Sequence, residues 1–249
     1  MRPCTPGACL TRSAPTATLG APERNLAASQ APHAPADAAP AAGRFVLYLE
    51  GPRDPDILGA WAWRVSPALA RALGAAVVIL GGRQPARAAE HLRNVRAADP
   101  RARGLCVLDR DDGAAPQPSA CLAEDGLEVF TWGRRHIESY LLVPDALLRT
   151  AGLQPDDPRS VRLLRGLLPR VDDEAAHRDL HAKTLLAEGG ALARALGRPL
   201  PPGRIARQMD RRDLHPDVVD VLSRIATGIA GAPATAGTAF PLPEDLPRG

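Results

Sequence analysis

Lysine is almost missing from this chain: of its 31 basic residues, all but Lys183 are arginines. A high-GC coding bias of bacterial type accounts for that depletion, together with the heavy use of Ala, Pro and Arg. The survivor has two readings: a chance remnant, or a position where a compact, mobile ammonium serves and a planar guanidinium does not. Cysteine is scarce as well. Cys4 and Cys9 fall in an Ala/Pro-rich start, Cys106 sits inside an apolar run as a small core residue, and Cys121 lies in a loop. No zinc ligand set or disulfide framework is spaced out among them. Long apolar runs are lacking too. No stretch is long enough to cross a bilayer, and the N-terminus has no compact apolar core of a secretory signal. The start, with Arg2, Arg12 and no acid before Glu23, faintly matches an organelle transit peptide; the coding bias is the preferred explanation. A soluble protein of a reducing, cytoplasmic compartment with no membrane partner is expected. The formal net charge of +3 is too small to mark a nucleic-acid partner, so any phosphate-binding surface must be local. Arg134 with Arg135 is one such cluster, and Arg204, Arg207, Arg211 and Arg212 another; each also reads as an ordinary solvated face.

What is present in an orderly arrangement is acid at the ends of apolar runs. Phe45–Leu49 and Leu105–Leu108 are of strand length and nearly unbroken, as buried strands of a parallel sheet are. The first ends on Glu50 and the second on Asp109. In open parallel sheets the functional crevice lies beyond the carboxyl ends of the strands, so these acids are expected to meet at one edge. Mutual repulsion there calls for a cation, and oxygen-only donors select a hard divalent ion, Mg²⁺ first and Mn²⁺ second. In an extended stretch Asp109 and Asp111 point the same way and can reach one ion, with Arg110 and Asp112 turned elsewhere. Glu138 has two readings, a loop acid neutralising Arg134 or Arg135, or a ligand. Asp54 can cap the helix that follows it.

Residues 1–43 are rich in Ala, Pro, Thr and Ser without periodicity and are expected to be a disordered tail. From Phe45 to about 153 strands alternate with helices, which favours an α/β domain with a mainly parallel central sheet and right-handed crossovers. The first crossover carries Ile57, Trp61, Val65, Leu69 and Leu73 on one helical face, with a restart at Pro67. A second strand is expected over Ala75–Leu80, a helix over Pro85–Ala98, a fourth strand over Leu127–Trp132, and a helix from Pro144 after the Ile137–Leu142 segment. Residues 154–231 read as a C-terminal helical appendage. It includes one helix capped by Asp172 or Asp173 and running to Glu188, and another after His215-Pro216 with Val218, Val219, Leu222, Ile225 and Ile229 on one face. Residues 232–249 return to a flexible tail. His177 and His181 are four apart on the first of these helices; without an HExxH glutamate they read as a solvated face.

Taken in order, Glu50-Gly51-x-x-Asp54 after a strand, Asp109-x-Asp111 after a later one, and Ile137-Glu138-x-Tyr140 resemble the TOPRIM domain. The type is that of OLD-family nucleases and related domains associated with ABC-type ATPases, and the resemblance covers about Phe45–Pro144. It implies a TOPRIM-like Rossmannoid fold and a Mg²⁺-dependent (or Mn²⁺-dependent) endonuclease, a hydrolase of nucleic-acid phosphodiesters, DNA first. It also implies that Glu50, Asp54, Asp109, Asp111 and Glu138 are metal ligands, Glu138 toward a second ion, with Glu50 an alternative general base. Lys183 is implied as a catalytic group facing the scissile phosphate, with Arg134 and Arg135 beside the nucleic acid. No GxxxxGK[ST] loop occurs, so the ATPase expected of an OLD protein would be separately encoded.

Two rivals stand beside this reading. One is a TOPRIM-like module that has lost cleavage and binds nucleic acid or protein. The other, ranked third, is a haloacid-dehalogenase-type phosphatase using the Asp109-x-Asp111 pair; Gly113 departs from its pattern, and it leaves Glu50 and Glu138 without a role.

Overall fold

The computed structural model describes residues 43–110 and 124–231. The expected tails, save Gly43, and the acids Asp111 and Asp112 lie outside the described residues. The chain enters through β1 (Phe45–Leu49), then α1 (Asp54–Val65), α2 (Pro67–Ala76), β2 (Val77–Ile79), α3 (Pro85–Ala98), β3 (Arg103–Leu108) and β4 (Leu127–Thr131). Helices follow: α4 (Pro144–Ala151), α5 (Pro158–Leu167), α6 (Glu174–Arg178), α7 (Ala182–Leu186), α8 (Ala191–Leu196), α9 (Pro202–Gln208) and α10 (Pro216–Ala230).

The sheet is parallel throughout, in the order β2-β1-β3-β4. β1 and β3 occupy its middle, which is why their sequences are apolar on both faces and almost wholly buried. Alternation along β1 divides the core. Leu47 and Leu49 join the large cluster with Ile57, Leu58 and Trp61 of α1. Val46 and Tyr48 face the smaller one with Ala88 and Leu92 of α3. Cys106 is buried in that smaller cluster, and burial pushes its thiol up to about 12, so it is an inert core residue. Helices therefore cover both faces. From β1 the chain crosses to β2 on one side and later to β3 on the other, so the crevice between the carboxyl ends of β1 and β3 is the topological switch point of the sheet.

Two expected elements come out differently. Ala75 and Ala76 are the end of α2 rather than the start of β2, consistent with the high helix propensity of its Ala-rich run, and the chain turns extended only at Val77. The helix expected to run to Glu188 is broken. Asp173 caps it, accepting from Ala176 N at 3.0 Å, but it stops at Arg178 and restarts at Ala182. At the break the Arg178 carbonyl accepts from Arg135 N (2.9 Å) and from Arg110 Nη2 (2.9 Å), so the helix end is tied to the loops beyond the sheet.

The helices after residue 154 belong to the same large cluster as β1 and β3, through Leu164, Leu186, Leu192, Ile205, Val218, Val221, Leu222 and Ile225. On α10, Val219 and Ile229 are partly buried against it. Gly228 lies so near the Phe45 ring that a β-carbon there would come within 2.2 Å of it, which fixes how closely α10 approaches the edge of β1. No described helix is long and apolar enough to cross a membrane.

Candidate active site

The apolar strands end at the switch point, and there the chain delivers its acids. Glu50 follows β1 and its Oε1 accepts from Asp109 N at 2.7 Å, locking the exit of β3 to that of β1. Arg83 Nη1 lies 4.0 Å from the same oxygen, and its guanidinium also donates to the Asp109 carbonyl. Asp109 is held at both carboxylate oxygens: Oδ1 accepts from Ile137 N at 3.1 Å and Oδ2 from Lys183 Nζ at 2.6 Å. Asp54 is the first residue of α1. It does not cap that helix but reaches back, Oδ2 accepting from Gly51 N at 2.8 Å, and so closes the Glu50–Asp54 loop. Glu138 arrives on the 3₁₀ turn Ile137–Leu141, buried, with Lys183 Nζ 3.9 Å from its Oε2. That distance is too long for a hydrogen bond, and Oε2 has no partner among the described residues.

Lys183 thus stands at the acidic site, the question its sequence left open. The break between α6 and α7 is what permits it, since α7 starts afresh in a new direction. Burial alone would lower the Lys183 pKa. The hydrogen bond to Asp109 and the charges of Glu138, Asp109 and Asp54 outweigh this and raise it, so the amine is firmly an ammonium.

One lysine does not balance the acids around it. Burial, then the charge of Asp109, pushes Asp54 up to about 6 against the Gly51 hydrogen bond and Lys183. Burial pushes Glu138 up to about 7, with Asp109 and Asp54 adding to the rise and Lys183 opposing it. Burial is the largest cause of both rises, and the neighbouring carboxylates add to it.

His136 was not anticipated. It precedes the Ile137–Leu141 turn, its Nδ1 is buried without a partner, and burial, helped by Lys183, lowers its pKa so that the imidazole is neutral near pH 7. Its ring centroid lies 6.3 Å from that of His181. The only sequence signal was its place two residues before Glu138.

Several expected residues are elsewhere or otherwise engaged. Arg134, expected beside the nucleic acid, is a core guanidinium, 8% exposed. It donates to Ser139 O (3.0 Å) and, through Nε and Nη2, to both carboxylate oxygens of Glu174 (3.0 and 2.6 Å), and lies over the Tyr140 ring. Arg135 is half-buried beside the site; its carbonyl accepts from Arg110 N at 3.0 Å. Arg207 pairs with Asp56 at 2.6 Å, while Arg204, Arg211 and Arg212 are exposed. His177 and His181 share no solvated face. His177 is buried, with Nε2 3.2 Å from Arg170 O, and His181 lies beyond the helix break.

Among the described residues no three His, Cys, Asp or Glu side chains gather closely enough to form a complete metal cluster. Mg²⁺, however, needs only one or two carboxylates when waters and substrate phosphates complete its shell. Asp109 and Glu138, both oxygen donors, one with an orphaned buried oxygen, fit that requirement.

No protein-family model matches the chain, and no curated protein matches it. Among solved structures it is similar to the C-terminal region of the Burkholderia pseudomallei OLD protein, at 16% identity and TM-score 0.43, covering 75% of this chain and 98% of that one. It is also similar to the C-terminal region of the Xanthomonas campestris pv. campestris OLD protein, at 16% identity and TM-score 0.38, covering 76% of this chain and 96% of that one. Both are C-terminal regions of OLD proteins, the family whose TOPRIM domain the sequence motifs resemble, and at these values the likeness assigns no residue a role.

Proposed function

We propose that this chain is a divalent-metal-dependent nuclease of the TOPRIM type that hydrolyses phosphodiester bonds of nucleic acid, DNA first. The observation that carries the reading is the convergence of Glu50, Asp54, Asp109, Glu138 and the sole lysine at the switch point of a parallel sheet. Asp109 and Glu138 would hold the ion, with Asp54 near enough for its charge to be felt and Asp111 assigned to the same set by its alternate position after the strand. When bound, Mg²⁺ or Mn²⁺ supplies Lewis acidity and charge neutralisation.

The protein's own residues do the rest. Glu50 orients Asp109 through its backbone N–H, which keeps the carboxylate aimed into the crevice. Lys183, on a flexible four-carbon stem, offsets the charge that grows on the phosphate oxygens as the bond breaks. Arg135, half-buried at the rim, is assigned to a phosphate of the strand. A separately encoded ABC-type ATPase is proposed as partner.

The test is incubation of the purified protein with supercoiled plasmid and Mg²⁺ or Mn²⁺, beside an EDTA control and Asp109→Asn. Metal-dependent nicking that disappears in the variant supports the reading; cleavage untouched by the substitution or by EDTA sinks it. A second reading, a non-catalytic binding module, is favoured by the Lys183 ammonium that already answers Asp109 Oδ2 at 2.6 Å. Tight DNA binding with no cleavage in either metal would establish it. The phosphatase alternative draws on Asp109 and Asp111 and leaves Glu50 and Glu138 without work.

A further inference from the structure

Lys183 has a geometry that its proposed catalytic role does not require. Its Nζ faces two carboxylate oxygens at once, Asp109 Oδ2 at 2.6 Å and Glu138 Oε2 at 3.9 Å, and bonds only the first. An ammonium hydrogen-bonds at about 2.7–3.2 Å and does not close both distances from this position, so the buried Glu138 oxygen has no hydrogen bond among the described residues. A divalent ion carries twice the charge and bonds several oxygens at about 2.1 Å, so it answers both acids better than the lysine does.

The partners also differ in freedom. The Asp109 side chain is 15% exposed and held by Ile137 N, and that of Glu138 is 6% exposed; the Lys183 side chain is 49% exposed. Of the three, the lysine is the most exposed. Its anchoring helix is a single five-residue turn, separate from the sheet that fixes Asp109.

We propose that Lys183 is a built-in competitor of the divalent ion: its ammonium neutralises Asp109 and screens Glu138 until the metal takes both oxygens and turns the side chain outward. The inference rests on the metal-site reading above and adds to it a control on occupancy. The site then stays assembled at low metal concentration, and the lysine is released toward the crevice mouth only when the ion has bound.

The test is calorimetric titration of Mn²⁺ into the full chain, wild type against Lys183→Met and Lys183→Arg, with thermal melting to verify the fold and Lys183→Gln in place of the methionine variant where that fails to fold. Removing the competing charge is expected to tighten Mn²⁺ binding about tenfold or more, with Lys183→Arg at or below wild-type affinity. Equal or weaker binding by the folded methionine or glutamine variant overturns the competition while leaving the metal site intact, and so does an arginine variant that binds as tightly as the methionine one. If neither wild type nor the neutral variant binds Mn²⁺, the metal-site reading falls, and the competition with it.

Discussion

Within eight residues, Gly133 to Tyr140, the chain builds two polar neighbourhoods of opposite character. In one, Arg134 is bonded to Ser139 O and Glu174, and the Tyr140 hydroxyl accepts from Arg134 N while donating to Asp217. Glu174 is held below the usual carboxylate range, first by its hydrogen bond from Arg134. In the other, His136 Nδ1 and Glu138 Oε2 are buried without hydrogen-bond partners among the described residues, and burial pushes the Glu138 carboxyl up to about 7. Arg134 and Glu138 are both buried, but the guanidinium is met by hydrogen bonds while Glu138 Oε2 has, among the described residues, only the Lys183 ammonium at 3.9 Å. Removing one partner of a hydrogen-bonded buried charge costs stability, whereas a carboxylate buried without such a bond is itself a cost.

The sharpest way to test that contrast is to remove one acid from the second neighbourhood. Asp109→Asn should lower metal-dependent nicking of plasmid at least about a hundredfold. The amide oxygen can still accept from Ile137 N, but the amide nitrogen would face the Lys183 ammonium in place of a carboxylate oxygen, so the variant should stay folded with a melting point modestly below wild type. Next in size is the mirror experiment on the paired side. Arg134→Met should cost about 2–3 kcal/mol in denaturant unfolding, since it leaves the buried Ser139 carbonyl without its guanidinium donor, while half-exposed Glu174 can turn to water. An unchanged midpoint would show that the paired cluster is not structural.

Glu138→Gln should act in the opposite direction and stabilise. The folded pKa of Glu138, about 7, lies above its ordinary 4.5, so the native state favours the protonated form. Its contribution to stability is therefore fully present below pH 4.5 and lost as pH rises to about 7. Glutamine removes that loss, so the variant should gain about 2 kcal/mol over wild type at pH 8 and nothing at pH 4. A gain independent of pH would exclude the charged Glu138 as its cause. The smallest effect is expected for Tyr140→Phe, about 1–2 kcal/mol in thermal or chemical unfolding, from the hydroxyl that bridges Arg134 N and Asp217.

Legibility in the sequence followed the range of the interaction responsible. Helix α3 begins and ends where the Pro85–Ala98 pattern put it, because a proline start and a helical period are local. The acids at the ends of β1 and β3 were readable for the same reason: an apolar run of strand length that stops on a carboxylate needs no distant partner to be recognised. The burial of Arg134 was not legible because its partner Glu174 lies 40 residues later in the chain. The broken helix was missed because the bonds at its end, from Arg110 and Arg135, come from other loops.

By itself the sequence determined the alternation of strands and helices, the parallel sheet with two apolar central strands, and the acids at the ends of those strands. These are set by periodicities and by the abrupt change from apolar to acidic residues, which act over a few positions. Only the tertiary structure decided which charges meet. Lys183 lies 74 residues from Asp109 along the chain, yet its Nζ is 2.6 Å from that carboxylate, because a helix break turns α7 toward the switch point of the sheet. A charge at a few ångströms is governed by how far apart two groups stand in space and how much water lies between them, and neither quantity is written in the order of the residues.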